Sequence, residues 1–306
     1  MLSRATAVVL AIGVCATGAF SASGSQTAAA NADVDALLRR AGDYVRGFEQ
    51  DFSTVISDEA YRQRAERVRS AVNTGTGRNS GRATTMTLSS DNRAIESEML
   101  FTWLPDERSW LAVRNAVKVD RREIAGSTDR LTRALSDPAR LSRLRQLADE
   151  GARFNIGTIF RNFNDPTFVL RFLDPALQPR FAFSLSRKET IRHALAWKIA
   201  FVERERPALT QSSSGNDLPA SGSVWLNAAN GAVVKTSVAL HDIRTGMSAQ
   251  IAVDFDPNPA LGFAPPSQMT ESYSQVAGDV EERITCLATY TNFRRFSTSG
   301  RIIQPN

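Results

Sequence analysis

From about Met99 onward, apolar and polar residues alternate along much of the chain with the period of two that marks half-buried strands. The clearest run places Ile191, His193, Leu195, Trp197, Ile199 and Phe201 on one face, with Arg192, Ala194, Ala196, Lys198 and Ala200 on the other. It predicts a strand from Ile191 to Glu203 that follows a turn at Lys188 and Glu189. Just before it, Phe181, Phe183 and Leu185 alternate with Ala182, Ser184 and Ser186. Val224 to Leu226 and Val233 to Leu240 are joined through Asn230-Gly231, a dipeptide suited to the positive φ of a tight turn. Thr245-Gly246 leads into a strand with Ile251, Val253 and Phe255 on one side. Pro257, Pro259, Pro265 and Pro266 then interrupt, and Ile284 to Phe296 reads as the last long strand. Hairpin connections of this kind make neighbouring strands antiparallel.

The earlier part of the chain switches to helical spacing. Leu37, Leu38, Ala41, Tyr44, Val45, Phe48, Phe52, Val55 and Ile56 form one stripe, which predicts helix from Asp33 to about Val72. Asn73 to Arg82 is polar and reads as a loop. Strands at Thr84 to Leu88 and Ile95 to Leu104 follow, and Pro105-Asp106-Glu107 turns the second toward Trp110 to Val119. Thr128 to Ala152 returns to helical spacing, with Leu131, Leu135, Leu141, Leu144, Leu147 and Ala148 on its buried side. Asp165-Pro166 opens a short helix through Phe168, Leu170 and Leu173 that Pro175 and Pro179 end. Helices early and hairpins late make the fold class α+β, built on a large antiparallel sheet.

Residues 1–30 have the zones of a signal peptide: Arg4, an apolar stretch from Ala5 to Cys15, and a tail of small residues ending at Ala30. The apolar stretch falls short of the roughly 20 residues a spanning helix needs. Cleavage after Ala30, with a rival site after Ser21 where Ala19 and Ser21 are small, predicts a periplasmic or secreted protein of residues 31–306, read as a single domain with a helical insertion at about 128–173. Val14 before Cys15 argues against lipidation of that cysteine. Removing the leader leaves Cys286 alone, so no internal disulfide forms and core burial must hold the fold. The formal charge of +5 is spread along the chain. Arg62, Arg64, Arg67 and Arg69 are interleaved with Glu66 and read as a solvated helix face, so the pattern excludes nucleic acid as a partner.

No catalytic signature accompanies this architecture, and the chain reads as non-enzymatic. His193 and His241 have no second strong ligand at metal-binding spacing, which gives no metal site and no cofactor. Cys286 sits in the alternating series Ile284, Cys286, Ala288, Tyr290 and reads as a small buried residue. Glu96 and Glu98 share a strand face, and Asp254 and Asp256 another; both read as solvent-side pairs. The serines lack a nucleophile-elbow pattern. Phe181, Phe183, Leu195, Trp197, Ile199, Phe201, Ile251, Val253 and Phe255 are the candidate ligand-lining residues, and the same side chains also suit a filled core.

The order of elements, with Val224-Trp225-Leu226-Asn227 turning through Asn230-Gly231 into two further strands, resembles the LolA/LolB-like periplasmic lipoprotein carriers. The similarity is best over about Gly222 to Phe255. A looser match runs through Pro265, Pro266, Met269, Thr270, Glu271 and Tyr273 to Thr289-Tyr290-Thr291-Asn292-Phe293-Arg294. The chain also looks like a group of uncharacterised exported bacterial proteins that share that ending. The resemblance implies an incomplete barrel whose concave face is covered by helices, with lipid or lipoprotein acyl chains bound between sheet and helices and with transient membrane contact. The N-terminal helix and the Pro166 to Leu173 helix would be the lids. The family places an arginine in its cavity, and no motif assigns that role to one arginine of this chain. A structural or protein-binding module with a filled core is the alternative.

Overall fold

The computed structural model describes residues 22–72, 83–161, 164–192, 194–296 and 302–303. Most of the expected leader (residues 1–21), the polar segment 73–82 and His193 lie outside the described residues. In chain order the elements are α1 (Ala22–Phe52), β1 (Val55–Val72), β2 (Ala83–Leu104), β3 (Ser109–Val119) and β4 (Arg122–Glu123). Next come α2 (Arg130–Ser136), α3 (Arg140–Ala152) and two 3-10 helices (Phe168–Leu173 and Gln178–Arg180). The remaining strands are β5 (Phe181–Ile191), β6 (Ala194–Glu203), β7 (Ala220–Asn227), β8 (Val233–Asp242), β9 (Met247–Phe255), β10 (Pro266–Ala277), β11 (Val280–Phe296) and β12 (Ile302–Ile303).

Eleven strands form one antiparallel path, β4-β3-β2-β1-β11-β10-β9-β8-β7-β6-β5, and β12 pairs with β11. β4 and β5 are the two ends of that path, so the sheet does not close into a barrel. It is nevertheless strongly curved. Phe48 on α1 lies 5.9 Å from the Trp110 ring on β3 and 6.4 Å from the Phe255 ring on β9. Those strands are five spacings apart along the sheet, or about 24 Å at roughly 4.8 Å per spacing. Only a sheet wrapped around the helix lets one ring touch both. Register shifts within the β1–β2, β2–β3, β5–β6, β7–β8 and β9–β10 pairs supply local bends.

The concave face carries the main core. Leu37, Leu38, Ala41, Val45, Phe48 and Phe52 of α1 are buried against it, joined by Phe168, Val169, Leu170, Phe172 and Leu173 of the first 3-10 helix. The opposite face holds a second, smaller cluster. There Leu131, Ala134, Leu135, Leu144 and Leu147 of α2 and α3 pack on Ile56, Leu100 and Val113. The concave covering is therefore α1 and the 3-10 helix, as the resemblance implied, while α2 and α3 sit on the back.

Several expectations require correction. α1 ends at Phe52, and residues 55–72 are strand rather than helix. Ser53 takes the Glu49 carbonyl with its hydroxyl (2.6 Å), β-branched Val55 and Ile56 follow, and burial then alternates through Glu59, Tyr61, Gln63 and Ala65. The two strands expected at Thr84 to Leu88 and Ile95 to Leu104 are one continuous β2. β10 was hidden by its own first residue, Pro266, since proline is tolerated at the start of a strand. Leu141 is exposed rather than on the buried side of α3.

The β5–β6 turn also moves. Lys188 and Glu189 are ladder positions, opposite Trp197 and Ala196, and the chain reverses at Arg192, which adopts φ 45°. Lys188 Nζ lies 3.8 Å from the centroid of the Trp197 ring, and Glu189 accepts from Trp225 Nε1, so both residues gain partners inside the strand. Ile191 therefore faces Ala194 across the hairpin instead of sharing one strand with Phe201. The Asn230-Gly231 turn falls where expected, with φ 76° at the glycine. A Cβ at Gly231 would stand 2.7 Å from Arg40 Cβ, so the glycine lets this turn press against α1.

Candidate functional site

A cleft of about 690 Å³ opens between α1 and one end of the sheet. Three pieces build its walls. α1 contributes Arg40, Asp43 and Tyr44; the ends of the β5–β6 and β7–β8 hairpins contribute Ile191, Arg192, Ala194, Asn230 and Val233; the β9–β10 connection contributes Phe255 and residues 256–259 and 262–264. Tyr44 ties the last wall to the first, donating its hydroxyl to the Ala264 carbonyl at 3.4 Å. The mouth is charged but internally paired: Arg192 meets Asp256 and lies 3.6 Å from Asp254, which also holds Lys235 at 3.1 Å. The interior is apolar, formed by Phe255, Phe263, Ile191, Val233, Pro259 and the Tyr44 ring.

Of the nine candidate lining residues, the structure brings one, Phe255, to this cleft. Ile199, Phe201, Ile251 and Val253 are buried in the main core, and Phe181 is 7% exposed. Phe183 and Trp197 are half-buried against the same core. The Phe172 ring of the 3-10 helix meets that of Phe181 at a tilt, 4.6 Å between centroids, and that of Phe201 edge to face at 5.5 Å, so this part of the wall is filled by its own lid. Leu195 is 50% exposed near the hairpin end and stands apart from the other eight.

The other half of the concave face, from β10 to β3, sets a buried polar cluster among apolar core residues such as Phe101, Trp110, Met269 and Ile284. Glu59 on β1 is fully covered, and its carboxylate accepts two bonds from Arg114 on β3, at 2.6 and 2.8 Å, and one from Ser97 Oγ at 2.6 Å. The guanidinium also lies 4.4 Å from the centroid of the Tyr61 ring. Burial alone works against the Arg114 charge, but Glu59 beside it more than compensates and holds the guanidinium protonated. On β10, Glu271 is buried and accepts from Tyr273. Burial pushes its carboxyl above the usual range, raises the Tyr61, Tyr273 and Tyr290 phenols, and moves the Cys286 thiol up to about 12.

A strap of residues 154–161 closes over this half. Gln63 donates to the Phe154 carbonyl at 3.1 Å and accepts from the Ile156 amide at 3.2 Å and from Arg161 at 3.1 Å. Arg161 also donates to the Ile156 carbonyl at 2.8 Å and reaches Cys286 Sγ at 3.2 Å. Glu282 accepts from Thr158 through both its amide and its hydroxyl. Gly157 between them has φ 84°, and a Cβ there would stand 2.4 Å from Ile284 Cδ1, so glycine permits the close seat. Glu59, Tyr61 and Gln63 lie in the stretch that the apolar stripe predicts as helix, so the sequence does not bring this cluster together. Their alternation with Ala60, Arg62 and Arg64 is the signal that reveals a strand with a polar buried face.

No family model matches the chain, and no curated protein matches it. Among solved structures it is similar to a lipoprotein-sorting domain from Vibrio parahaemolyticus, at 10% identity and a TM-score of 0.31, covering 85% of this chain and 92% of that one. It is similar also to a LolA superfamily protein from Nitrosomonas europaea, at 12% identity and a TM-score of 0.28, covering 86% and 93%. A third is a DUF1329 family protein from Desulfovibrio piger, at 11% identity and a TM-score of 0.26, covering 84% and 92%. Overlaps this loose carry no residue across.

The remaining candidates are accounted for within the chain. Glu96 meets Lys118 at 3.0 Å, and Glu98 accepts from Arg294 and Asn115, so the two carboxylates are separately paired. His241 Nδ1 lies 2.9 Å from Ser248 Oγ. Among the described residues, no group of three or more His, Cys, Asp or Glu side chains is arranged to hold a metal ion, and no helix is long and apolar enough to cross a membrane.

Proposed function

We propose that this chain is an exported, non-enzymatic protein that holds a lipid, a lipoprotein acyl chain or another apolar ligand in the cleft between α1 and the sheet. The observation that supports this reading is an apolar cleft of about 690 Å³ whose floor is Phe255, in a molecule whose adjoining core is filled. That volume lies within the roughly 300–1,000 Å³ of small-molecule sites. An acyl chain needs no specific polar partner, because each buried methylene contributes about 0.8 kcal/mol. Phe255 is the inner end of the cleft, and Val253 and Ile251 lie beyond it on the same strand. Phe181, Phe183, Ile199 and Phe201 join the site only when the 3-10 helix carrying Phe172 lifts away. The leader-like residues 1–30 support a periplasmic setting.

Native mass spectrometry and lipid extraction of the purified mature protein test the proposal. The expected outcome is co-purifying acyl species, lost in Ile191→Glu, at a cleft position outside the main core, and retained in Leu195→Glu, with both variants folded by circular dichroism. Protein that arrives empty and takes up no fluorescent fatty acid would reject it. That outcome favours the second reading, a protein-binding module with a filled interior, which the packing of Phe172 against Phe181 and Phe201 supports.

A further inference from the structure

We infer that the outer edge of β2, from Ala83 to Arg93, takes an acidic, extended segment of a partner protein as an added strand. β2 is paired with β1 along its whole length, from Val72 opposite Ala83 to Ile56 opposite Leu100. On its other side β3 reaches only as far as Val119 opposite Ile95. The ladder is then capped: Asp120 donates its amide to the Ala94 carbonyl at 2.8 Å and accepts the Ala94 amide on its carboxylate at 2.9 Å. Among the described residues no strand continues past that cap. Alternate residues of an antiparallel strand turn both backbone groups to the same side, so after Ala94 the next to face outward are Asn92 and Ser90.

An edge of this length is normally defended by charge, proline or a bulge. The far edge of the sheet, β5, has such defences: Arg187, Lys188 and Glu189 lie on it, with a register shift between Leu185 and Arg187. β2 is poorly defended from Thr85 to Asn92, where every residue is exposed and Asp91 is the one charge. Its single irregularity falls at Leu88, which has no partner on β1 and, like Met86, is an exposed apolar side chain. Unpaired N–H and C=O groups repeated along an edge are satisfied by another extended backbone, which lipid tails do not offer.

The sign of the partner follows from the strand beneath. β1 sets Arg62, Arg64, Arg67 and Arg69 opposite Ala94, Asn92, Ser89 and Met86, and all four are exposed. Arg64 pairs with Glu66 and Arg69 with Asp279, while Arg62 and Arg67 make no ion pair among the described residues. A groove of about 400 Å³ at the cap is lined by Arg62, Arg93, Arg121 and Asp120, the last lying 3.5 Å from Arg93. It lies at the end of the added strand, where an acidic side chain would find Arg62 and Arg121, which make no ion pair among the described residues.

The test uses the full mature chain and a fluorescein-labelled synthetic peptide of about twelve alternating Glu and Val residues, long enough to follow the free edge, with its Lys and Val counterpart as control. The Glu peptide is expected to bind saturably and about tenfold more tightly than the Lys peptide at low salt, and to slow amide exchange in residues 85–93. Asn92→Pro removes one outward donor without touching the β1 ladder and is expected to weaken binding about tenfold. The double variant Arg62→Glu, Arg67→Glu, which changes exposed side chains alone, is expected to abolish the preference for the Glu peptide. Equal affinity for both peptides, exchange protection on β5 instead of β2, self-association through this edge, or no saturable binding would each overturn the inference. Acyl retention is measured separately, so these outcomes are independent of the lipid reading.

Discussion

Both halves of the concave wall bury apolar side chains against the helical cover, and one of them adds a network of buried polar bonds. Between β5 and β9, Phe181, Phe201, Ile251, Val253 and Phe255 meet Phe172 and α1 through area and ring contacts, which have weak directional demands. Between β10 and β3, Glu59, Arg114, Gln63 and Arg161 are buried in bonds with defined partners. An apolar contact that is loosened loses a fraction of its energy, whereas a buried charge that loses its partner incurs the full desolvation cost. The cleft opens toward the apolar half, and the ion pairs at its mouth, Arg192 with Asp256 and Lys235 with Asp254, are partly exposed rather than buried.

The largest effect expected from this contrast is in the polar half. Arg114→Leu leaves Glu59 buried and unpaired and should cost about 3–5 kcal/mol in urea unfolding. Adding Glu59→Leu should recover most of that loss, and a double variant no better than the single would show that the pair is not what holds the half together. Phe172→Ala in the apolar half should cost about 3 kcal/mol. Because the two sites share no partner, its effect should add to that of Arg114→Leu within about 0.5 kcal/mol; a larger coupling would mean the two halves behave as one unit.

Smaller effects sharpen the boundary. Gln63→Leu removes the bonds to Phe154, Ile156 and Arg161 and should cost about 2 kcal/mol. It should also raise proteolytic cutting within residues 154–161 and leave the β5–β6 region unchanged. The smallest effect falls on α1, which spans both halves. Burial and the neighbouring Asp174 raise the Glu49 carboxyl to about 7. Its contribution is therefore fully present below the unfolded-chain value and is lost as pH rises toward and through about 7. Glu49→Gln should be neutral at low pH and stabilise the protein above pH 7, on the order of 1 kcal/mol after allowing for its partial exposure. Thermal unfolding at the two pH values checks the sign.

The late hairpins were legible because their turns carry local signals: Asn230-Gly231 and Thr245-Gly246 sit where positive φ is needed. α1 was legible as far as Phe52 because its stripe keeps a single period. Its end was not, since Val55 and Ile56 fit both periods and the polar residues beyond them look solvated in either. Glu59 and Gln63 become core residues through Arg114 and Arg161, which lie 55 and 98 positions away. No local pattern encodes such a partner. The β5–β6 turn was missed for a related reason, because Arg192 adopts a left-handed backbone with no glycine to announce it. The cleft itself is made by the β9–β10 connection, whose prolines mark a break in the strands without specifying what the break encloses.

β1 lies between β2 and β11. Its first ladder can zip as soon as the neighbouring hairpin exists, but its second waits for residues 280–295, and the Asp58–Arg294 ion pair that closes it joins positions 236 apart. Sheet completion therefore depends on an encounter between the opposite ends of a long chain, the kind of pairing that slows folding most. Any version of the molecule that stops short of β11 would leave an arginine-studded strand with one side open, and so a ready target for proteases or aggregation.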